Sequence, residues 1–222
     1  MRDYDTTPAP QEPERVAPAA VSIANPAPLG LSVLAFATAI LGCFYAGFII
    51  PYQGLGVRPA VGAVLFVSGI VLIIAGILEY RKNSMLSATI FTSYGGFLAV
   101  IGMIFIPNFG ILGFLLASRD MNFAMGLLFL CWTIFSAILF IGTLRLNMLL
   151  AATMFILLLA YLLLTIGQLA SNNTAANQIG GWLAIIAALA AWLTALASLL
   201  GSEGANAPFQ LPIRGRRLTP VD

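Results

Sequence analysis

The sequence predicts an all-α membrane protein with six transmembrane helices and both termini in the cytoplasm. Three observations lead there. Of the 222 residues, 60% are hydrophobic and 8% charged, and the mean hydropathy is +0.99. A water-soluble globule typically carries about a quarter charged residues, so the 18 charges here could not solvate a folded surface in water. Second, six apolar stretches each approach the ~20 residues a helix needs to cross a bilayer. Third, Lys and Arg fall unevenly between the connecting segments.

Taken in order, residues 1–24 are rich in Pro, Ala, Glu and Thr, carry both charge signs and lack an apolar core, which predicts a disordered tail. The spans then run over Leu29–Ile50, Ala60–Leu78, Leu86–Ile106, Phe123–Leu144, Met148–Leu169 and Ile179–Leu200. Pro51 and Pro107 close the first and third. The runs are continuously apolar without strict alternation, so helices are expected and not barrel strands. Ile111–Ala117 is too short to cross and reads as an interfacial or re-entrant piece. Residues 203–222 form a polar cytoplasmic tail behind a membrane domain of residues 25–202. Arg2, Arg15, Arg81, Lys82, Arg145, Arg214, Arg216 and Arg217 lie on one side, against Arg58 and Arg119 on the other. The richer side is cytoplasmic by the positive-inside rule.

Composition also excludes chemistry. There is no histidine, and Cys43 and Cys131 both sit in apolar runs, so neither a metal site, a cofactor nor a disulfide framework is implied. Ten basic residues against eight acidic make no stripe for nucleic acid. No nucleophile–base pair is available, so no catalytic residue is assigned and an enzyme is not expected. Mid-span positions carry no charge. Glu79, beside Tyr80, Arg81 and Lys82, reads as an interfacial ion pair. Small residues recur at Ala35, Ala39, Cys43 and Gly47, and again at Ala187, Ala191 and Ala195. Helices can approach closely on such faces, within one protomer or between protomers.

Two local patterns stand out. Asn25-Pro26-Ala27-Pro28-Leu29-Gly30-Leu31 starts the first span sharply. Asn is a favoured helix cap and Pro suits the first turn. The free N–H groups of such a helix start either serve a plain cap or suit a carboxylate. Phe91-Thr92-Ser93-Tyr94-Gly95-Gly96-Phe97 breaks the third span with hydroxyls and glycines, for packing or for lining a path.

At these residues the chain resembles the acetate uptake transporter family, also called the Gpr1/Fun34/YaaH or succinate–acetate permease family. The NPAPLGL run at 25–31 is similar to that family's signature. Ala75-Gly76-Ile77-Leu78-Glu79-Tyr80, Phe91–Gly95 and Gly142-Thr143-Leu144-Arg145 agree in order and spacing. The resemblance covers roughly residues 24–203. It implies six helices around a central path, assembly as a homohexamer, and passage of acetate and similar monocarboxylates, sometimes succinate, across the plasma (inner) membrane. Passage would be channel-like or proton-coupled. It also implies an apolar constriction at Leu34, Tyr94 and Leu157, with Leu34 standing where the family often has Phe.

Depth along the spans agrees with that trio. The three residues lie about five, eight and nine positions into odd-numbered spans, or roughly 8, 12 and 14 Å at 1.5 Å per residue. Thr38 and Thr153, each one turn away, would place hydroxyls on both sides of the neck. Asn25 is expected to cap the first span and to help bind carboxylate at the inner mouth. The alternative is a membrane sensor or scaffold responding to acetate or ammonium status without transporting. The chain's sequence contains no soluble signalling domain to favour it.

Overall fold

The computed structural model describes residues 24–118, 120–144 and 148–202. The expected tails, Ala24 excepted, lie outside the described residues, as do Arg119 and Arg145. Seven helices follow one another: α1 (Ala27–Ala46), α2 (Arg58–Arg81), α3 (Met85–Phe105), α4 (Ile111–Ser118), α5 (Met121–Thr143), α6 (Met148–Leu169) and α7 (Thr174–Ser202). All except the eight-residue α4 are long and apolar enough to cross a membrane, which gives six candidate spans. The protein is a multi-pass helical membrane protein. Helices are the answer lipid demands, since each satisfies its backbone polar groups internally. Successive spans alternate in direction, so α1, α3 and α6 point one way and α2, α5 and α7 the other.

The first span is shorter than the apolar run suggests. α1 stops at Ala46 because Gly47 adopts a left-handed conformation (φ 70°). The N–H groups of Gly47 and Phe48 both donate to the Cys43 carbonyl, at 3.0 and 3.2 Å. That closes the helix as a glycine C-cap, four residues before Ile50. At its other end the capping position belongs to Pro26, not Asn25. The Pro26 carbonyl accepts the Gly30 N–H at 3.1 Å. Asn25 lies one residue earlier, yet its side-chain oxygen still accepts the Ala27 N–H at 3.3 Å.

Packing rests on missing side chains. α2 and α3 touch backbone to backbone through Gly62, Gly69 and Gly76 on one side and Gly95 and Gly102 on the other. A Cβ on Gly69 would stand 2.5 Å from the Gly95 carbonyl oxygen, and one on Gly95 would stand 2.7 Å from that of Gly69. The spacing of seven residues keeps these glycines on one face, two turns apart. α1 meets α7 in the same way. A Cβ on Gly42 would stand 2.8 Å from the Gly181 carbonyl oxygen, and Ala35 is buried with Ala188 and Ala191, with Ala39 against them. The small-residue ladder of α1 therefore serves contact within the chain, against α7. Gly47 is not part of it, because it is the cap. Between these pairs, one buried apolar cluster draws side chains from all seven helices.

The glycine contacts predict a contrast. Gly69→Ala should lower the melting temperature of the detergent-solubilised protein, since overpacking costs ~1–3 kcal/mol. Gly96→Ala, where a Cβ meets nothing within 4 Å, should leave it unchanged.

Candidate functional site

Midway along the bundle aromatic side chains of α3, α5 and α6 interlock into a waist. Leu34, Tyr94 and Leu157 all lie in the central cluster with at most 1% of their surface exposed. Around Tyr94 the rings of α5 and α6 interlock. Trp132 meets it edge-on at 5.0 Å between centroids, and Tyr161 lies at 6.3 Å. Phe97, one turn along α3, stacks flat on Trp132 at 4.2 Å and edge-on to Tyr161 at 5.3 Å. Such offset and edge contacts are the favoured arrangements of aromatic pairs. They hold Tyr94 in place while its hydroxyl lies 3.4 Å from the Ser136 Oγ.

The hydroxyls near the waist differ in one respect. Thr153 donates to the Leu149 carbonyl of its own helix at 2.9 Å, and Thr165 to that of Tyr161 at 2.8 Å. Those hydroxyl protons are engaged. The Thr38 Oγ1, one turn from Leu34, is buried with no hydrogen-bond partner, and so is the Tyr161 hydroxyl, one turn from Leu157. Buried hydroxyls are nearly always bonded, so this pair stands out from the other hydroxyls of the bundle.

At one end of the bundle stand the motif residues. Pro26, Gly30 and Leu31 are buried, Ala27 and Pro28 half-buried, and Leu29 and Asn25 exposed. A Cβ on Gly30 would meet the Phe91 ring at 2.5–2.7 Å, so the first motif lies directly against the second. The Lys82 ammonium donates to the Asn25 Oδ1 at 2.7 Å. Glu79 departs from its expected role. It is 1% exposed, and its Oε1 has no hydrogen-bond partner. Lys82 instead bonds Asn25, and the Lys82 and Ser84 backbone N–H groups bond the Glu79 carbonyl.

At the opposite end an amide cluster joins loops that are far apart in sequence. Asn172 Oδ1 accepts from Gln53 Nε2 at 3.0 Å and from Asn177 Nδ2 at 2.8 Å. The Tyr52 hydroxyl accepts from the same two donors at 3.0 and 3.1 Å. Gln168 donates to Asn177 Oδ1 at 3.1 Å. Gln53 and Asn172 both take left-handed backbone conformations (φ 46° and 58°) to reach one another. Sequence reading missed this cluster, because these residues carry no charge and, Gln168 apart, lie outside the apolar runs. Arg58, expected in a loop, is the first residue of α2 and only 7% exposed. No three of the described His, Cys, Asp or Glu residues are grouped to hold a metal ion.

Residues 9–213 match the GPR1/FUN34/yaaH family. The chain belongs to this family. Among its relatives, Accumulation of dyads protein 2 of Saccharomyces cerevisiae is 37% identical over 203 residues, covering 89% of this chain and 70% of that protein. The Succinate-acetate/proton symporter SatP of Escherichia coli is 32% identical over 182 residues, covering 82% and 91%. Among solved structures, that of the bacterial acetate channel SatP superposes with a TM-score of 0.72 at 31% identity, covering 86% of this chain and 99% of that one. The shared helical layout agrees with that membership.

The amide cluster gives a prediction for the fold of this family member. Asn177 is fully buried and bonds Tyr52, Asn172 and Gln168. Asn177→Leu leaves those groups short of partners, each at ~1–3 kcal/mol. It should lower the melting temperature by more than Asn173→Ala, an exposed change in the same turn. Differential scanning fluorimetry of the two purified variants tests this.

Proposed function

We propose that the protein moves acetate and similar small carboxylates across the plasma membrane, through the waist at Leu34, Tyr94 and Leu157. One observation carries the route: two buried hydroxyls without partners, Thr38 and Tyr161, stand one turn from Leu34 and Leu157. A small carboxylate entering the waist sheds water and accepts bonds from these hydroxyls in its place. The apolar side chains then restrict the passage by size and by dewetting. The named activities of the symporter and channel relatives support acetate as the substrate. The excess of Lys and Arg on the Asn25 side supports a cytoplasmic position for that end. Asn25, with Lys82 bonded to it, then forms the inner mouth, where the ammonium attracts anions. Thr153 contributes a hydroxyl oxygen next to the neck. We further propose that protomers assemble as a hexamer, each with its own path, through the apolar outer faces of α2, α5 and α7. On native mass spectrometry from mild detergent the wild type should fly as a single closed oligomer, and a purely monomeric spectrum would reject the assembly.

The decisive experiment is uptake of labelled acetate into liposomes containing this protein alone. Uptake above empty liposomes supports transport. A correctly inserted protein that moves no acetate would leave the sensor or scaffold reading in its place. The waist has its own test. Leu157→Ala removes a side chain that in a packed core would be worth ~2–5 kcal/mol, and water should enter the space. Acetate uptake should rise and discrimination against succinate should fall. Leu34→Phe should slow both. If both variants insert normally and neither rate nor selectivity moves, the constriction lies elsewhere.

A further inference from the structure

We propose that Arg58 forms a docking site for a monocarboxylate at the end of the bundle opposite Asn25, ahead of the waist. The inference deepens the transport reading and rests on it for the identity of the substrate.

The guanidinium is buried in an apolar setting. Its Cζ lies 5.8 Å from the centroids of both Phe44 of α1 and Phe105 of α3. The two rings provide cation–π contact at its faces, which leaves the N–H edge as the part still to be satisfied. Nε and Nη1 are buried and have no hydrogen-bond partner. Between them they carry three of the five N–H donors of an arginine. Nη2 reaches the Gln53 carbonyl oxygen, and only at 3.5 Å.

A guanidinium cannot shed this charge by losing its proton. The carboxylates of the described residues do not neutralise it. Glu79 lies at the far end of the same helix, about 32 Å away at 1.5 Å per residue. Asp120 is exposed at the start of α5, and neither acid is bonded to Arg58. The nearest polar neighbours are neutral: the Gln53 carbonyl, and Tyr45 within electrostatic reach. A buried cation with open donors and no counter-ion is a receptor for an anion. The amide cluster serves the site indirectly. Bonds to Tyr52 and Asn172 hold the Gln53 side chain, and so fix the loop whose carbonyl orients Nη2.

The chemistry of the site selects a class of anion. Either open nitrogen, together with the second N–H of Nη2, matches the two oxygens of a carboxylate in a fork. One fixed charge neutralises one carboxylate, and the flanking phenyl rings suit a short alkyl group. A dicarboxylate would bring a second charge against those rings with nothing to balance it. The ligand is therefore a short monocarboxylate such as acetate or propionate. Placed at the mouth, the site would concentrate the anion before it meets the waist.

The test uses the full-length protein in two ways. In detergent at low salt, acetate and propionate should raise the melting temperature of the wild type in a saturable manner, with succinate and inorganic phosphate much weaker. Arg58→Gln should abolish that rise, and Arg58→Lys, which keeps the charge and loses the fork, should weaken it. In liposomes, Arg58→Gln should raise the half-saturation concentration for acetate applied at the Arg58 side by about tenfold or more, the worth of a charge-assisted hydrogen bond. The value for acetate applied at the Asn25 side should change little. Should Arg58→Gln fail to insert, the Arg58→Lys protein and the wild-type anion series still decide. An acetate-dependent rise that survives in either variant undiminished, or one equally produced by phosphate, overturns the site. If the wild type transports acetate with no effect of Arg58 on either measurement, this inference fails and the transport reading stands. If the wild type neither transports nor responds to acetate, both fail.

Discussion

Hydrocarbon offers no hydrogen bond, and that constraint orders the whole molecule. Every backbone group inside the bilayer must be satisfied along its own helix, so six of the seven helices are spans and their polar side chains are engaged wherever they can be. Thr92, Thr133, Thr153, Thr165 and Thr194 all donate to carbonyls of their own helices. Against this background the polar atoms that remain open acquire meaning. The hydroxyls of Thr38 and Tyr161 sit at the waist, the Arg58 guanidinium at one end, and the Glu79 carboxyl at the other. They divide the bundle into a middle and two ends more clearly than composition does.

The same constraint explains how the helices hold together. Between apolar helices in lipid there is little hydrophobic gain in pairing, so close backbone contact does the work. α2 with α3 and α1 with α7 are both joined by glycine set against carbonyl. These two tight pairs leave α5 and α6 to supply bulk. Their aromatic residues fill the space that the close pairs open, and the waist is the result. Gly30 under Phe91 ties the start of α1 to α3 at the level where the path would begin.

Much of this was legible in the sequence, for a physical reason. An apolar run of ~20 residues has few fates other than a span, so all six spans were placed. Their ends were less legible. α1 ends at Gly47 because a left-handed cap intervenes, although the run stays apolar to Ile50. α7 begins at Thr174, five residues before Ile179, because Asn177 is paired with Gln168 and can be buried despite its polarity. Hydropathy counts both as polar and cannot see that they satisfy each other. Glu79, read as an interfacial ion pair, and Arg58, read as a residue of a connecting segment, are both buried. Leu34, Tyr94 and Leu157 are all buried in the one central cluster. The rings that enclose Tyr94 went unnoticed, although Phe129, Trp132 and Ser136 recur at helical spacing on α5. Aromatic residues at that spacing occur on every face of membrane helices, so the pattern alone does not distinguish a lining from a lipid surface.

The two ends of the bundle are held by different chemistry. Amides and a phenol lock the loop at Tyr52–Gln53 to the turn at Asn172 and on to Gln168 and Asn177, with two left-handed residues fixed in the process. Among the described residues, the side-chain bond between elements at the other end is one exposed contact, Lys82 with Asn25. Among the described residues, one rim is clamped by polar side chains and the other is held by close apolar contacts such as Gly30 under Phe91. A bundle held by different chemistry at its two rims presents two unlike faces to a solute arriving from either side.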